Sequence, residues 1–147
     1  MNGLRSFFFV FCLLLGLEAA CMDVLLAAQV HLDVDIIYAS NDHTGRDPRI
    51  HSIGQDLPFD SLELLDRKQF SVGFKDISQI SIPNGGKMYI QPESYDGSMI
   101  KVKIWMEKAS KYKLNMILQL ANGGIVVVGG PSYQNGTILM PISAKIR

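Results

Sequence analysis

The residues of this chain that could bind a metal ion are concentrated before position 52. His31, His43 and His51 occur there together with aspartates at positions 33, 35, 42 and 47. Imidazole and carboxylate groups are common ligands of zinc and other divalent ions. The spacing contains neither His-x-His nor His-Glu-x-x-His, and the Asp-x-Asp pair lacks the glycine and terminal glutamate of a calcium loop. We therefore predict no metal site and no cofactor, and rank a metal-dependent hydrolase built on these histidines last among the candidate functions.

The sequence also contains no motif that indicates nucleophilic catalysis. Cys12 and Cys21 are the only cysteines, and both lie near the N-terminus. No serine stands in a Gly-x-Ser-x-Gly turn, and no pair of carboxylates is singled out for glycoside cleavage. We therefore expect a protein that is not an enzyme.

A basic and aromatic cluster is the best candidate for a ligand-binding surface. Lys101, Lys103 and Trp105 alternate along one segment, so their side chains share a face if that segment is a strand. An indole can stack on a ring while the ammonium groups meet phosphate or carboxylate, which suits an anionic glycan or lipid headgroup. Lysine on an exposed strand also protects a protein from aggregation, so the pattern has an ordinary structural explanation as well.

The charge of the chain is balanced overall but unevenly distributed. It has 14 basic and 14 acidic residues, so we predict no nucleic-acid partner. Residues 29–66 carry eight acids against two arginines, whereas residues 67–147 carry eleven basic residues against four acids. The two halves could attract each other within one domain, or form a bipolar surface that orients a partner.

The first 28 residues have the composition of an export signal. Arg5 precedes an apolar run over residues 7–17, and alanines follow at positions 19, 20, 27 and 28. We predict a signal peptide over 1–28 and a periplasmic or secreted domain over 29–147, with no membrane span once the leader is removed. A retained anchor and a lipoprotein acylated at Cys21 are the alternatives. The processed chain has no cysteine, so no disulfide can stabilise it.

Turn signals and alternating hydrophobicity predict a mainly antiparallel all-β fold. Asn-Gly pairs at 84–85, 122–123 and 135–136 each suit a tight hairpin. We predict strands at about 30–40, 61–66, 69–74, 77–83, 86–91, 98–107, 113–121, 124–129 and 137–146. In the hairpin of 98–107 and 113–121 we expect Met106 opposite Leu114, Trp105 opposite Asn115, and Glu107 opposite Lys113.

We predict that these strands form a two-layer β-sandwich in a single domain. Three local features are predicted in addition. Residues 125–128 are apolar at every position, which indicates a central strand covered on both faces. Gly129 and Gly130 with Pro131 predict a bulge or corner. Residues 47–57 predict one short helix in the first crossover, capped by Asp47 and ended by Pro58.

Several segments resemble a family of small exported bacterial proteins of uncharacterised function. They are Ala39-Ser40-Asn41, Asp47-Pro48-Arg49-Ile50, Leu64-Leu65-Asp66-Arg67, the run from Gly123 to Pro131, and Gly136-Thr137-Ile138-Leu139. Residues 124–130 are also similar to the glycine-rich hairpin of secretin outer-membrane channels. The resemblance implies a role beside envelope or secretion machinery. We therefore predict a non-enzymatic envelope protein that acts as a protein-interaction or structural β-domain, with a small ligand-binding module as the alternative.

Overall fold

The computed structural model describes residues 28–53, 56–107 and 114–147, and these form two four-stranded antiparallel sheets. The eight strands are β1 (Gln29–Ser40), β2 (Ser61–Gly73), β3 (Ser78–Ile82), β4 (Gly86–Tyr95), β5 (Met99–Glu107), β6 (Leu114–Ala121), β7 (Ile125–Tyr133) and β8 (Gly136–Ile146). The strand order is β2-β1-β8-β7 in the first sheet and β3-β4-β5-β6 in the second. The predicted mainly antiparallel β-sandwich is confirmed.

The core between the sheets is built from side chains that alternate along the strands. In β1, Val30, Leu32, Val34 and Ile36 face inward and are almost fully buried. The other large contributors to this core are Ile80, Met88, Ile90, Ile100, Val102, Ile104, Met106, Ile138, Met140 and Ile142. The predicted register of the β5–β6 hairpin is confirmed, with Met106 opposite Leu114 and Trp105 opposite Asn115. Residues 1–27, and the Lys113 half of the predicted Glu107 pair, lie outside the described residues.

The predicted helix over 47–57 is wrong, because its described residues form a turn. The amide of Ile50 donates to the carbonyl of Asp47 at 3.1 Å, and the amide of Asp47 itself donates to the carbonyl of Leu62. Residue 46 makes an isolated bridge to Leu62 at the start of β2. The start of this segment is therefore hydrogen-bonded to the first residues of β2, and the amide of Asp47 pairs with that strand. In the described part of the chain, no helix has the length and hydropathy needed to cross a membrane.

Two predictions about strand arrangement also need correction. The predicted strands 61–66 and 69–74 are one strand, β2, which is interrupted only by a register shift opposite Ile36 and Ile37. Residues 125–128 are not central, because β7 ends the sheet order and Ile125 and Val127 are 52% and 38% exposed. An all-apolar run can thus lie at an edge when only alternate side chains reach the core.

The three Asn-Gly pairs have three different outcomes. Asn84 and Gly85 both have positive φ and connect β3 to β4, as predicted for a hairpin. Gly123 lies in a tight turn, but this turn joins β6 to β7 and so passes from one sheet to the other. The last hairpin turns at Gln134 and Asn135, one residue before the predicted pair, because Gly136 already pairs with Tyr133. The bulge at Gly129 and Gly130 is confirmed by a shift in the β7–β8 register.

Gly136 is required by close packing between neighbouring strands. A Cβ atom at this position would lie 2.1 Å from the carbonyl oxygen of Ala39, whereas a Cβ at Gly129 would meet no atom within 4 Å. We expect Gly136→Ala to lower the free energy of unfolding by about 2 kcal/mol or more, since the backbones must separate. Gly129→Ala is the matched control and should change it by less than about 1 kcal/mol. Urea denaturation measures both, and equal effects would contradict this explanation.

Candidate functional site

The outer face of the first sheet is divided into a covered half and an open half. In the covered half, the crossover between β1 and β2, residues 41–60, folds over the sheet. Its apolar side chains form a second, smaller core with residues of β1, β2 and β8. The buried members of this cluster are Ile37, Ala39, Ile50, Ile53, Leu62 and Leu139. The open half begins where this cover ends, so the edge of the crossover forms one wall of a groove.

The groove has a volume of about 370 Å³, which lies in the range of small-molecule sites. Its lining residues come from β1, β2, β7, β8 and the crossover. They are Asp33, Asp35, His51, Ser52, Arg67, Gln69, Ile125, Pro141 and Ser143. Cross-strand register brings the sheet residues together, because Asp33 pairs with Gln69 on one side and with Ser143 on the other, and Asp35 pairs with Arg67.

Asp35 is a buried carboxylate whose charge is compensated at the end of the groove. Its residue is only 5% exposed. Arg67 donates from Nε to Oδ1 at 2.6 Å and from Nη2 to Oδ2 at 3.0 Å, and the hydroxyl of Ser52 donates to Oδ2 at 2.8 Å. Burial acts to raise the pKa of Asp35, but the hydrogen bonds from Arg67 and Ser52 and the charge of Arg67 bring the pKa below its ordinary value. This ion pair ties β1, β2 and the crossover together.

Asp33 is the second carboxylate, and its partners are mostly uncharged. The Gln69 amide donates to Oδ1 at 2.6 Å, and the Ser143 hydroxyl lies 3.5 Å from Oδ2. The Asp33 side chain is 39% exposed, and Nε2 of His31 lies 3.6 Å from Oδ1. Asp33 is therefore held in a fixed position while one side of its carboxylate remains open to solvent.

Ser71, His31 and Asp33 lie next to one another in the order of a nucleophile, a base and an orienting acid. Nδ1 of His31 is 3.3 Å from the Ser71 hydroxyl, but its other nitrogen is too far from Asp33 for a hydrogen bond. All three stand on a sheet face, where the surrounding backbone amides belong to the ladders of β1 with β2 and β8. Acyl transfer would in addition need hydrogen-bond donors aimed at an oxyanion.

The structure separates the three histidines that the sequence analysis considered together. His31 lies on the sheet face, His43 contacts Asp60 at 2.9 Å in the crossover, and His51 lines the groove. Within residues 28–53, 56–107 and 114–147, no three histidine, cysteine or acidic side chains are arranged to hold a metal ion.

The predicted binding residues Lys101, Lys103 and Trp105 do share one face, on the outside of the second sheet. Trp105 stacks on Tyr89 with ring centroids 5.2 Å apart, and Nζ of Lys103 lies 5.5 Å from the centre of the indole. Lys101 lies 3.5 Å from a carboxylate oxygen of Glu93. The indole and both ammonium groups therefore already have partners, which reduces what this face can offer to a sugar ring.

Sequence reasoning missed the groove on the first sheet. Asp33 and Asp35 were visible as an alternating pair, but Arg67, Gln69 and Ser143 carried no motif. Only the register of β2 and β8 against β1 places them beside the aspartates. The signal available in the sequence was the presence, on neighbouring predicted strands, of side chains able to pair with or hydrogen-bond to the two aspartates.

Comparison with known proteins adds no relative to this description. No family model matches the chain, and neither a curated protein nor a solved structure matches it significantly. The resemblance to small exported proteins and to secretins therefore stays a prediction.

We predict that breaking the Asp35–Arg67 pair destabilises the protein in a pH-dependent way. Arg67→Met leaves a buried carboxylate without its cation and should lower the free energy of unfolding by about 2 kcal/mol at neutral pH, less than for a fully buried pair because Arg67 is partly exposed. The folded-state pKa of Asp35 lies below the unfolded value near 3.8, so the stabilisation is complete above that value and is lost as the pH falls through the folded-state pKa.

Denaturation of wild type and variant between pH 2 and pH 7 checks this expectation. The difference between the two proteins should shrink as the pH falls. It should first shrink where the unpaired Asp35 of the variant takes up a proton, because burial raises its pKa once Arg67 is gone, and again below about 4 as the pair of the wild type is protonated. Lys68→Met is the control, because its ion pair with Asp66 is about half exposed at both ends and should contribute less than about 1 kcal/mol. A pH-independent difference would rule out the ion pair as the cause.

Proposed function

We propose that this chain is a non-enzymatic, exported β-domain that acts by protein contact, binding an extended segment of a partner at the edge of β7. The observation that supports this most strongly is the exposure of Ile125 and Val127 on a strand that ends its sheet. An edge strand presents unpaired backbone groups, and a partner strand can complete the ladder while covering alternate side chains.

The absence of charge around β7 supports the same proposal. From Leu114 to Ala144, the 31 residues include no aspartate, glutamate, lysine, arginine or histidine. This run contains β6 and β7, which are end strands of their sheets and are joined by the tight turn at Gly123. The end strand of the first sheet on the opposite side, β2, carries Glu63, Asp66, Arg67 and Lys68. Exposed edges are normally protected by charges of the kind that β2 has, so the side formed by β6 and β7 is suited to a partner.

The chemistry of the edge indicates the kind of segment that would bind. A partner strand beside Ile125 and Val127 would place its own alternate side chains against apolar groups. A charged side chain beside Val127 would lose hydration without gaining a counter-charge from β7, so the bound segment should be uncharged and apolar at that position. Its main chain would supply the affinity, and its side-chain pattern the specificity.

Photo-crosslinking in producing cells tests the proposed edge. A photoreactive phenylalanine analogue at Val127 should give a defined adduct, whereas the same group at the exposed Ser71 of β2 should not. Val127→Lys should abolish the complex, because the lysine ammonium group would be buried against an apolar partner segment. Ser71→Lys should leave the complex intact. Light scattering of the purified protein distinguishes an adduct with a second copy from one with another protein. A complex that survives Val127→Lys would exclude this edge.

A second candidate function is binding of an anionic glycan or lipid headgroup by the second sheet. Its support is the placement of Lys101, Lys103 and Trp105 on one outer face. If this face binds anionic headgroups, Lys101→Gln with Lys103→Gln should abolish sedimentation with vesicles that contain anionic lipid. The matched control is Lys68→Gln with Lys145→Gln, which removes the same charge from the first sheet. Equal loss in both double variants would indicate charge alone, and no sedimentation of the wild type would remove the lipid headgroup as a ligand of this face.

A further inference from the structure

We propose that the groove on the first sheet binds a primary alkylammonium group, with the ammonium on Asp33 and the methylene chain along Ile125 and Pro141. This site shares Ile125 with the proposed partner surface of β7, but its charged end, Asp33, lies on β1, two strands from that edge. Its ligand class is set by the balance of charge and apolar surface in the groove.

The charge balance of the groove leaves one carboxylate without a cation in hydrogen-bonding contact. Asp35 is satisfied by the two-point contact with Arg67 and by Ser52. Asp33 is held only by the amide of Gln69 and the hydroxyl of Ser143, which fix its orientation but do not neutralise it. Three further ionisable groups stand on the same face. Nε2 of His31 lies 3.6 Å from Oδ1, Lys145 pairs with His31 in the ladder, and the charge of Arg67 also attracts Asp33 although its guanidinium is hydrogen-bonded to Asp35. A cation entering the groove would therefore meet a prepositioned acceptor.

The walls of the groove favour an alkyl chain over a sugar or a metal ion. Ile125 is 52% exposed and lines the groove together with the pyrrolidine ring of Pro141. None of the nine lining residues is a phenylalanine, tyrosine or tryptophan on which a sugar ring could stack. Among the described residues no three ligating side chains converge as a metal would require. The volume of about 370 Å³ is large enough for a short chain with an ammonium group at its end.

Nuclear magnetic resonance titration of the ¹⁵N-labelled protein tests this assignment with four probes of similar length. Cadaverine and Nα-acetyl-lysine amide carry the ammonium group, whereas 1,5-pentanediol and glutarate replace it with a neutral or an anionic end. We expect saturable shifts at the amides of Asp33, Gln69 and Ser143 with the two amines, and no saturation with the diol or the diacid. Tighter binding of cadaverine would indicate a free diamine as the ligand, and tighter binding of the blocked lysine would indicate a lysine side chain of a peptide.

Two substitutions with a matched control separate this site from the edge of β7. Asp33→Asn should weaken amine binding by about tenfold or more, as expected for the loss of a charge-assisted hydrogen bond, while Asp76→Asn at an exposed turn should not change it. Val127→Lys should abolish the partner complex, whereas Asp33→Asn, two strands away on β1, should leave that complex intact, so the two proposals can fail independently. The inference is overturned if the diol binds as well as the amines, if none of the probes saturates, or if Asp33→Asn binds cadaverine like the wild type.

Discussion

The arrangement of the first sheet depends on the burial of the Asp35 carboxylate beneath the crossover. A sheet face that carries Ile37, Ala39 and Leu139 must be covered, and the segment between β1 and β2 supplies that cover. Apolar contact alone would not fix where the cover ends. The end of the cover is set by Asp35, because a buried carboxylate is costly unless it keeps its two-point contact with Arg67 and its hydrogen bond from Ser52. The covered half and the open groove share this boundary.

The same ion pair gives a structural meaning to the uneven distribution of charge along the sequence. Asp35 and Asp66 belong to the acidic part of the chain, and their partners Arg67 and Lys68 are the first basic residues of the part that follows. Attraction between the two parts therefore operates within one sheet, at short range.

Much of the fold could be predicted from local patterns, because polar and apolar residues alternate along a strand that is buried on one face only. This holds for β1 and for the register of β5 against β6, where one polar face and one apolar face leave a single consistent pairing. The helix over 47–57 failed because the amide of Asp47 donates to Leu62 of β2, a contact across the chain that no local propensity reveals. The carboxylate of Asp47 accepts the amide of Arg49, as a helix cap would, but also that of Leu64 on β2. Residues 125–128 failed because Ile125 and Val127 are apolar but exposed. The groove could not be predicted, since its residues meet only through the register of four strands.

The pairing of β1 with β8, which are far apart in the sequence, has a consequence for how the protein folds. β1 and β8 are neighbours at the centre of that sheet, and the amide of Arg147 donates to the carbonyl of Gln29. β1 therefore lacks one of its two neighbouring strands until β8 has been synthesised, and the first sheet cannot be completed before then. Contacts between such distant positions slow folding, because a long loop must be ordered before any gain is realised. The second sheet, made of consecutive hairpins, has no such delay and can assemble first.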